Sequence, residues 1–310
     1  MLAFADFAAA SRAAIEHALD GYLPRPPACP AVVAEAMRYS VMAGGKRLRP
    51  ILVLAAADAV ARAQTSDLEA AARLALPAAC ALEFIHTYSL IHDDLPSMDD
   101  DALRRGRPTL HMVVGQGQAI LAGDGLQAEA FQLIAREPRS HDPAVMRRKL
   151  QVLEVVTRAA GAIGMVGGQA IDLDAAGKGA ATALDGDALS DMHARKTGAL
   201  IRASAAAGAI MAGADDACLA ALDRWAANVG LAFQIVDDIL DVEGASADLG
   251  KTSGKDAASG KPTYPALFGL ERSKALAADA TGRAAAALAD AGLRPSHLDA
   301  IAGWIVGRRS

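Results

Sequence analysis

Two rows of carboxylates interrupt an otherwise apolar, helix-patterned chain, and they constrain it more than any other feature. The first is Asp93-Asp94-Leu95-Pro96-Ser97-Met98-Asp99-Asp100-Asp101, followed by Arg104-Arg105-Gly106. The second is Asp237-Asp238-Ile239-Leu240-Asp241. Each closes an apolar run with helical periodicity, where gathered carboxylates repel and raise one another's pKa unless a cation neutralises them. The simplest cation is Mg²⁺, a hard ion held by carboxylate oxygens that keeps waters and binds substrate phosphates. One isolated acidic run is ordinarily a solvated face. Two runs, about 140 residues apart and each followed by basic residues, point instead to a divalent-metal site.

Aliphatic residues dominate the rest. Hydrophobic residues make up 53% of the chain and aromatics only 4%, so the core is alanine- and leucine-rich, which favours closely packed helices. Helical spacing predicts helices over 5–20, 31–43, 50–63, 67–92, 117–135, 143–170, 187–212, 215–243 and 271–291. Connectors fall at 21–30, 44–46, 106–116, 136–142, 174–186 and 244–262. No strand–helix alternation and no 20–50-residue repeat occur, so the expectation is a single all-α domain over 1–310. The stretch 244–262, rich in Gly, Ser and Lys, is long enough to be a functional loop.

Charge and cysteine content exclude some functions. A net charge of −5 gives nucleic-acid binding no electrostatic support. Cys29, Cys80 and Cys218 lie far apart without metal-ligand spacing, which fits a reducing compartment. The N-terminus is broken by Asp6, Arg12 and Glu16, and no apolar stretch reads as a membrane span; the expected location is cytoplasmic without stable membrane insertion.

The acidic rows can be placed on faces. Asp237 and Asp241 lie about 40° apart around a helix, with Gln234 on the same face, while Phe233, Ile235, Ile239 and Leu240 fill the other sides. That pattern marks a cavity-lining wall. Asp93 and Asp99 would diverge on an ideal helix, but Pro96 cannot continue the ladder, and a local bulge there would bring them to one metal cluster. His86 lies two turns before Asp93 on about the same face. Cations accompany both rows: Gly44-Gly45-Lys46-Arg47-Leu48-Arg49-Pro50, Arg104-Arg105-Gly106, Lys196-Thr197-Gly198 after His193 and Arg195, and Lys251, Lys255 and Lys261. Glycines let backbone approach an anion, and arginine binds phosphate bidentately. Acidic walls for Mg²⁺ with a basic rim suit a substrate carrying diphosphate.

Competing motifs fail. Gly244 through Gly250-Lys251-Thr252 has five intervening residues and a preceding helix, not the four residues and strand of a P-loop. Gly115-Gln116-Gly117 lacks the third glycine of a dinucleotide fingerprint. There is no His-Glu-x-x-His and no EF-hand loop.

These residues resemble the trans-isoprenyl diphosphate synthases, and within them the short-chain bacterial farnesyl diphosphate synthases (geranyltranstransferases). The likeness runs over nearly the whole chain. Gly44-Gly45-Lys46-Arg47-Leu48-Arg49-Pro50 is similar to the family's isopentenyl-diphosphate motif. Asp93-Asp94-x4-Asp99 with Arg104-Arg105-Gly106 is similar to its first aspartate-rich motif, with the two-residue insertion, Pro96 and Ser97, of the bacterial and plant subgroup. Gly168-Gln169, Lys196-Thr197, Phe233-Gln234, Asp237-Asp238-x2-Asp241, Gly250-Lys251 and Gly260-Lys261-Pro262-Thr263-Tyr264-Pro265 fit in order.

The resemblance implies an all-α isoprenoid synthase fold, homodimeric, with helices around a central cavity and the two acidic motifs facing across it. It implies that Asp93, Asp99 and Asp237 bind three Mg²⁺ with the allylic diphosphate, supported in catalysis by Asp94, Lys196 and Lys251. Arg104, Lys196, Thr197, Gln234, Lys251 and Lys261 would hold that diphosphate, and Lys46, Arg49, His86 and Arg105 isopentenyl diphosphate. The basic ending Gly307-Arg308-Arg309-Ser310 fits a tail that closes over the site. Tyr88 and Ser89, five and four residues before Asp93, are expected to set product length, with an aromatic floor going with farnesyl products.

The implied reaction is ionisation, condensation and elimination, joining isopentenyl diphosphate to dimethylallyl or geranyl diphosphate. A geranylgeranyl or geranyl product is the alternative of the same class. A terpene cyclase or head-to-head synthase would not need Lys46 and Arg49, and a catalytically dead partner subunit would not keep both acidic motifs.

Overall fold

The computed structural model describes residues 3–175, 184–243 and 263–308. Its contacts divide the chain into two compact units, the first formed by residues 1–155 with 207–213 and the second by 156–206 with 214–310. Both are built from α-helices.

The first unit contains α1 (Phe4–Tyr22), α2 (Ala31–Val41), α3 (Leu48–Ala63), α4 (Leu68–Asp93), α5 (Leu110–Val114), α6 (Gln116–Arg136) and most of α7 (Pro143–Ala160). α4 packs on α3 and on α6. It starts where the Asp67 carboxylate accepts the Glu69 and Ala70 amides, which satisfies orphan N–H groups of the first turn. α3 is buried almost all round, and its small residues Ala55, Ala56 and Ala57 let neighbours approach closely. Gly208, in the 207–213 segment, lies so near Val53 that a side chain there would overlap the Val53 carbonyl.

In the second unit lie α8 (Met165–Ala175), α9 (Gly186–His193), a π-helical turn (Ala194–Gly198), most of α10 (Ala199–Ala212), α11 (Asp216–Glu243), α12 (Tyr264–Phe268), α13 (Leu270–Asp290) and α14 (His297–Gly307). α11 and α13 form its main pair. Ala277, Ala280, Ala284 and Ala287 recur every three or four residues on the buried side of α13, a narrow ridge that permits close approach. Leu189, Met192, Ile235, Val236, Ile239 and Tyr264 pack together with Ala277.

The all-α expectation holds, with local corrections. Leu103–Arg104 and Arg107–Pro108 form a minimal antiparallel hairpin. Its two turn residues, Arg105 and Gly106, both have positive φ, which matches the twist of a two-residue hairpin. The helix predicted over 143–170 breaks at 161–164, where Gly164 would clash with the Ala159 carbonyl if it carried a side chain. The 187–212 helix carries the π turn inside it. The 106–116 connector holds α5. α12 and α14 fall outside the predicted helices, although Ser296 and Asp299 form a capping box at the start of α14. The proposed loop 244–262 lies outside the described residues.

Two segments, Leu68–Asp93 and Pro143–Ala175, are long and apolar enough to cross a membrane by composition, contrary to the reading of the sequence. Leu68–Asp93 buries 72% of its most apolar window inside the protein, as a core helix does.

The chief charge in this core is a pair. The Arg47 side chain, at the start of α3, donates to Glu83 of α4 at 2.7 Å, and both are almost fully buried. Arg47 also donates to the Val41 carbonyl at 2.7 Å. Glu83→Ala would leave the buried arginine with only the more distant, half-exposed Glu16 carboxylate at 3.9 Å, and breaking such a pair costs about 3–5 kcal/mol. Thermal denaturation should show a midpoint several degrees lower; a midpoint within a degree of the wild type would show that the pair does not hold α3 to α4.

Candidate active site

At the C-terminal end of α4 the helix stops and the chain turns back on itself. Leu95 N–H donates to the His92 carbonyl, Asp99 N–H to the Asp93 carbonyl at 2.9 Å, and Asp101 N–H to the Asp94 carbonyl. The Asp99–Asp93 backbone bond brings together two residues that an ideal helix would separate. The bulge expected at Pro96 is thus a compact loop closed by backbone hydrogen bonds, with Pro96 and Ser97 exposed at its tip. Asp93 and Asp99 remain partly exposed beside it.

Asp94 behaves differently. It is 4% exposed and bonded to Arg104 through Nε at 2.7 Å and Nη2 at 2.6 Å. Its carboxyl pKa is raised chiefly by burial, against the opposing pull of Arg104; repulsion from Asp101 is a smaller cause. The mutual repulsion expected of the acidic row is therefore not what dominates at Asp94. Asp94 thereby anchors Arg104, and with it the hairpin.

That hairpin carries Arg105 to the glycine turn. Gly44, Gly45 and Arg47 all have positive φ, and the Arg105 guanidinium donates to the Gly44 carbonyl. A Cβ on Gly45 would fall 2.5 Å from the Arg105 guanidinium carbon and displace it, and the φ of 121° itself favours glycine. Arg47 turns inward to Glu83, Arg49 is partly exposed and Lys46 exposed. His86, three residues after Glu83 on α4, is held neutral with its pKa well below the usual histidine value. Burial is the main cause, followed by the charges of Arg49, Arg105, Arg104 and Arg47. The positive field that keeps a proton off His86 is one that attracts an anion. Arg49 and Arg105 thus lie within electrostatic reach of His86, and Arg105 docks on the glycine turn that Lys46 follows; the buried pair beneath the turn and the hairpin that carries Arg105 had no signal in the sequence.

The second unit holds the other set. Asp237, Asp238 and Asp241 lie in the last two turns of α11. Asp238 is buried and accepts the Tyr264 N–H at 2.9 Å and the Gln234 amide at 3.3 Å, so Gln234 is engaged with Asp238. Asp237 is half-exposed and receives Arg308 at 2.7 Å. Arg308 is 3% exposed, donates to the Phe233 carbonyl at 2.7 Å and lies over the Phe233 ring at 4.0 Å. The basic C-terminal end therefore reaches the second acidic motif. Lys196 and Thr197 sit in the π turn, a widening of the helix common at functional positions. Lys196 donates to Asp172 of α8 at 2.6 Å, and a side chain on Gly168 would overlap the Lys196 backbone. Asp172 carried no spacing signal in the sequence because its partner lies 24 residues away. Lys251 and Lys261 lie outside the described residues.

Among the described residues no three His, Cys, Asp or Glu side chains gather closely enough to hold a metal by themselves. The donor set still fits Mg²⁺. That ion takes one or two carboxylates and completes its shell with water and substrate phosphate, and Asp237 already receives a cation from the protein.

The sequence profile described as polyprenyl synthetase matches residues 30–290, and the chain belongs to that family. The farnesyl diphosphate synthase of Geobacillus stearothermophilus is 48% identical over 261 residues, 84% of this chain and 83% of that one. That of Escherichia coli (strain K12) is 47% identical over 282 residues, 89% of each chain. The crystal structure of an apo FPP/GFPP synthase from Zymomonas mobilis superposes with a TM-score of 0.83 at 35% identity, covering 98% of this chain and 100% of that one. The fold is that of the isoprenoid synthases.

His193, at the end of α9, supplies a test of local electrostatics. It is buried, stacks on Tyr264 with ring centroids 5.8 Å apart, and its Nδ1 finds no hydrogen-bond partner among the described residues. Burial lowers its pKa to about 4. The unfolded chain protonates its histidines near pH 6.5, so this group stabilises the fold fully above that pH. The contribution falls as pH drops from 6.5 towards 4, by up to about 3 kcal/mol. The stability difference between wild type and His193→Gln, read from urea midpoints, should shrink between pH 7 and pH 4.5. A constant difference would show that His193 is not buried in the neutral form.

Proposed function

We propose that this polyprenyl synthetase is a trans-isoprenyl diphosphate synthase that joins isopentenyl diphosphate to dimethylallyl or geranyl diphosphate and releases farnesyl diphosphate. One observation supports the reading above all. The last two turns of α4 carry a basic pocket at His86 and an acidic loop at Asp93–Asp99, the two kinds of site that two diphosphate substrates require. One diphosphate is bound directly by cations; the other is bound through metal.

In the proposed assignment Lys46, Arg49, His86 and Arg105 hold isopentenyl diphosphate. Arg104, Lys196, Thr197 and Gln234 serve the allylic diphosphate, with Lys251 and Lys261. Asp93, Asp99 and Asp237 hold divalent metal, three Mg²⁺ ions in the full proposal. When bound, the metal supplies positive charge that stabilises the departing diphosphate. The protein's cations add preorganised charge at the same leaving group, with Asp172 and Asp94 fixing Lys196 and Arg104 in place. Loss of the diphosphate leaves an allylic cation, which apolar walls shield from water. The isopentenyl double bond attacks that cation, and the proton then lost passes to the released diphosphate. Tyr88, 6% exposed and one turn before the acidic loop, is the floor that stops the product at fifteen carbons. Each further five-carbon unit would gain about 3–4 kcal/mol by burial, so a physical block is needed.

One catalytic domain is proposed for the two units together, since a single family profile spans both. A homodimer is proposed because α5 and α6 leave Met112, Val113, Ile120 and Leu121 exposed. A cytoplasmic location is consistent with three free cysteines.

Asp93→Ala and Asp237→Ala should each lower turnover by on the order of 10²–10⁵-fold at saturating Mg²⁺, with folding retained. Near-normal turnover in either would remove it from the metal set. Lys46→Ala and Arg49→Ala should raise the KM for isopentenyl diphosphate roughly 10–100-fold, the worth of a charge-assisted hydrogen bond, with a much smaller change for the allylic substrate. Equal changes for both substrates would mean that the two diphosphate sites are wrongly apportioned.

A further inference from the structure

We infer that His92 is a positioning residue for product length, acting by clamping the ring of Tyr88 against α6. The inference rests on the proposed role of Tyr88 as floor, and concerns what keeps that floor in place.

His92 follows Tyr88 by one turn of α4, so the two side chains lie on the same face. Their rings meet edge to face, with centroids 5.7 Å apart and planes at 77°, a favoured aromatic arrangement. His92 is fixed from its far side by α6. Its Nε2 lies 3.1 Å from the Ile120 carbonyl, an acceptor, so Nε2 carries the proton and donates. The ring fits only because residue 123 is glycine: a Cβ there would overlap His92 Nε2 and fall 2.6 Å from Cδ2. The Tyr88 hydroxyl is buried and makes no hydrogen bond among the described residues, so no polar contact at the tip of the ring fixes it. Tyr88 is thus confined at its edge by His92.

This confinement has a consequence for specificity. A tyrosine ring blocks a growing chain only while it stays in one rotamer. A buried ring with empty space at its edge swings into that space, because neighbouring groups collapse partly into a void. His92 fills that space. It touches neither diphosphate in the proposed assignment, so its loss should change where elongation stops more than how fast it proceeds.

The experiment sizes the products made by the full-length protein with Mg²⁺, isopentenyl diphosphate and geranyl diphosphate. His92→Ala should raise the ratio of twenty-carbon to fifteen-carbon product about tenfold, the low end of what one methylene is worth in an apolar pocket. His92→Phe keeps a ring at that edge and should return the ratio towards wild type. Residues acting on one floor are non-additive, so Tyr88→Ala with His92→Ala should elongate no further than Tyr88→Ala alone. The ratio is read from whatever turnover remains, so reduced activity does not obscure it. If Tyr88→Ala elongates while His92→Ala still stops at fifteen carbons, the clamp is wrong and the floor stands. If Tyr88→Ala itself stops at fifteen, the floor is wrong and the clamp falls with it.

Discussion

The buried ion pair between Arg47 and Glu83 is the interaction on which the first unit's site depends. An arginine cannot shed its charge, and burying it is unfavourable unless a carboxylate and further acceptors meet it. Here Glu83 and the Val41 carbonyl do so. Because Arg47 sits between Lys46 and Arg49, turning it inward fixes which way its neighbours point. Because Glu83 is one turn before His86 on α4, the same bond sets the glycine turn at a fixed distance along that helix from Asp93. Arg105 then docks on the turn through the Gly44 carbonyl, and Arg104 is held by Asp94. Two ion pairs and one hairpin convert charges scattered over sixty residues of sequence into one local arrangement.

A comparable economy holds in the second unit. Two of the residues assigned to the diphosphate have a partner that orients them: Asp172 for Lys196, Asp238 for Gln234. The partner of Asp237 is Arg308, from the far end of the chain. These supporting groups are buried where the residues they hold are half-exposed, the pattern expected when a polar side chain must be aimed at a ligand and its support must not be solvated.

Much of this was legible in the sequence, and the reasons differ by element. α4 and α11 declared themselves through long apolar periodicity ending in aspartates, which is local information. The loop that joins Asp93 to Asp99 was half legible: Pro96 announces a helix end, but not the backbone bonds that close the loop. The hairpin at 103–108 was missed because Arg105 takes a positive φ usually left to Gly or Asn. α14 was missed although Ser296 and Asp299 spell a capping box, since the helix beyond is short. Glu83 and Asp172 were invisible for another reason. A carboxylate within an apolar helix has no periodic signature of its own, and its meaning comes from a partner 36 or 24 residues away.

The central claim is that this assembly of charges runs successive head-to-tail condensations, which the Tyr88 floor stops at fifteen carbons. The most direct measurement is to incubate the purified wild-type protein with isopentenyl and dimethylallyl diphosphates, with and without Mg²⁺, and to size the dephosphorylated products. A fifteen-carbon alcohol as the main product, formed only with divalent metal, is the predicted result. Metal-independent turnover, no condensation product, or a main product of twenty carbons or more would contradict it.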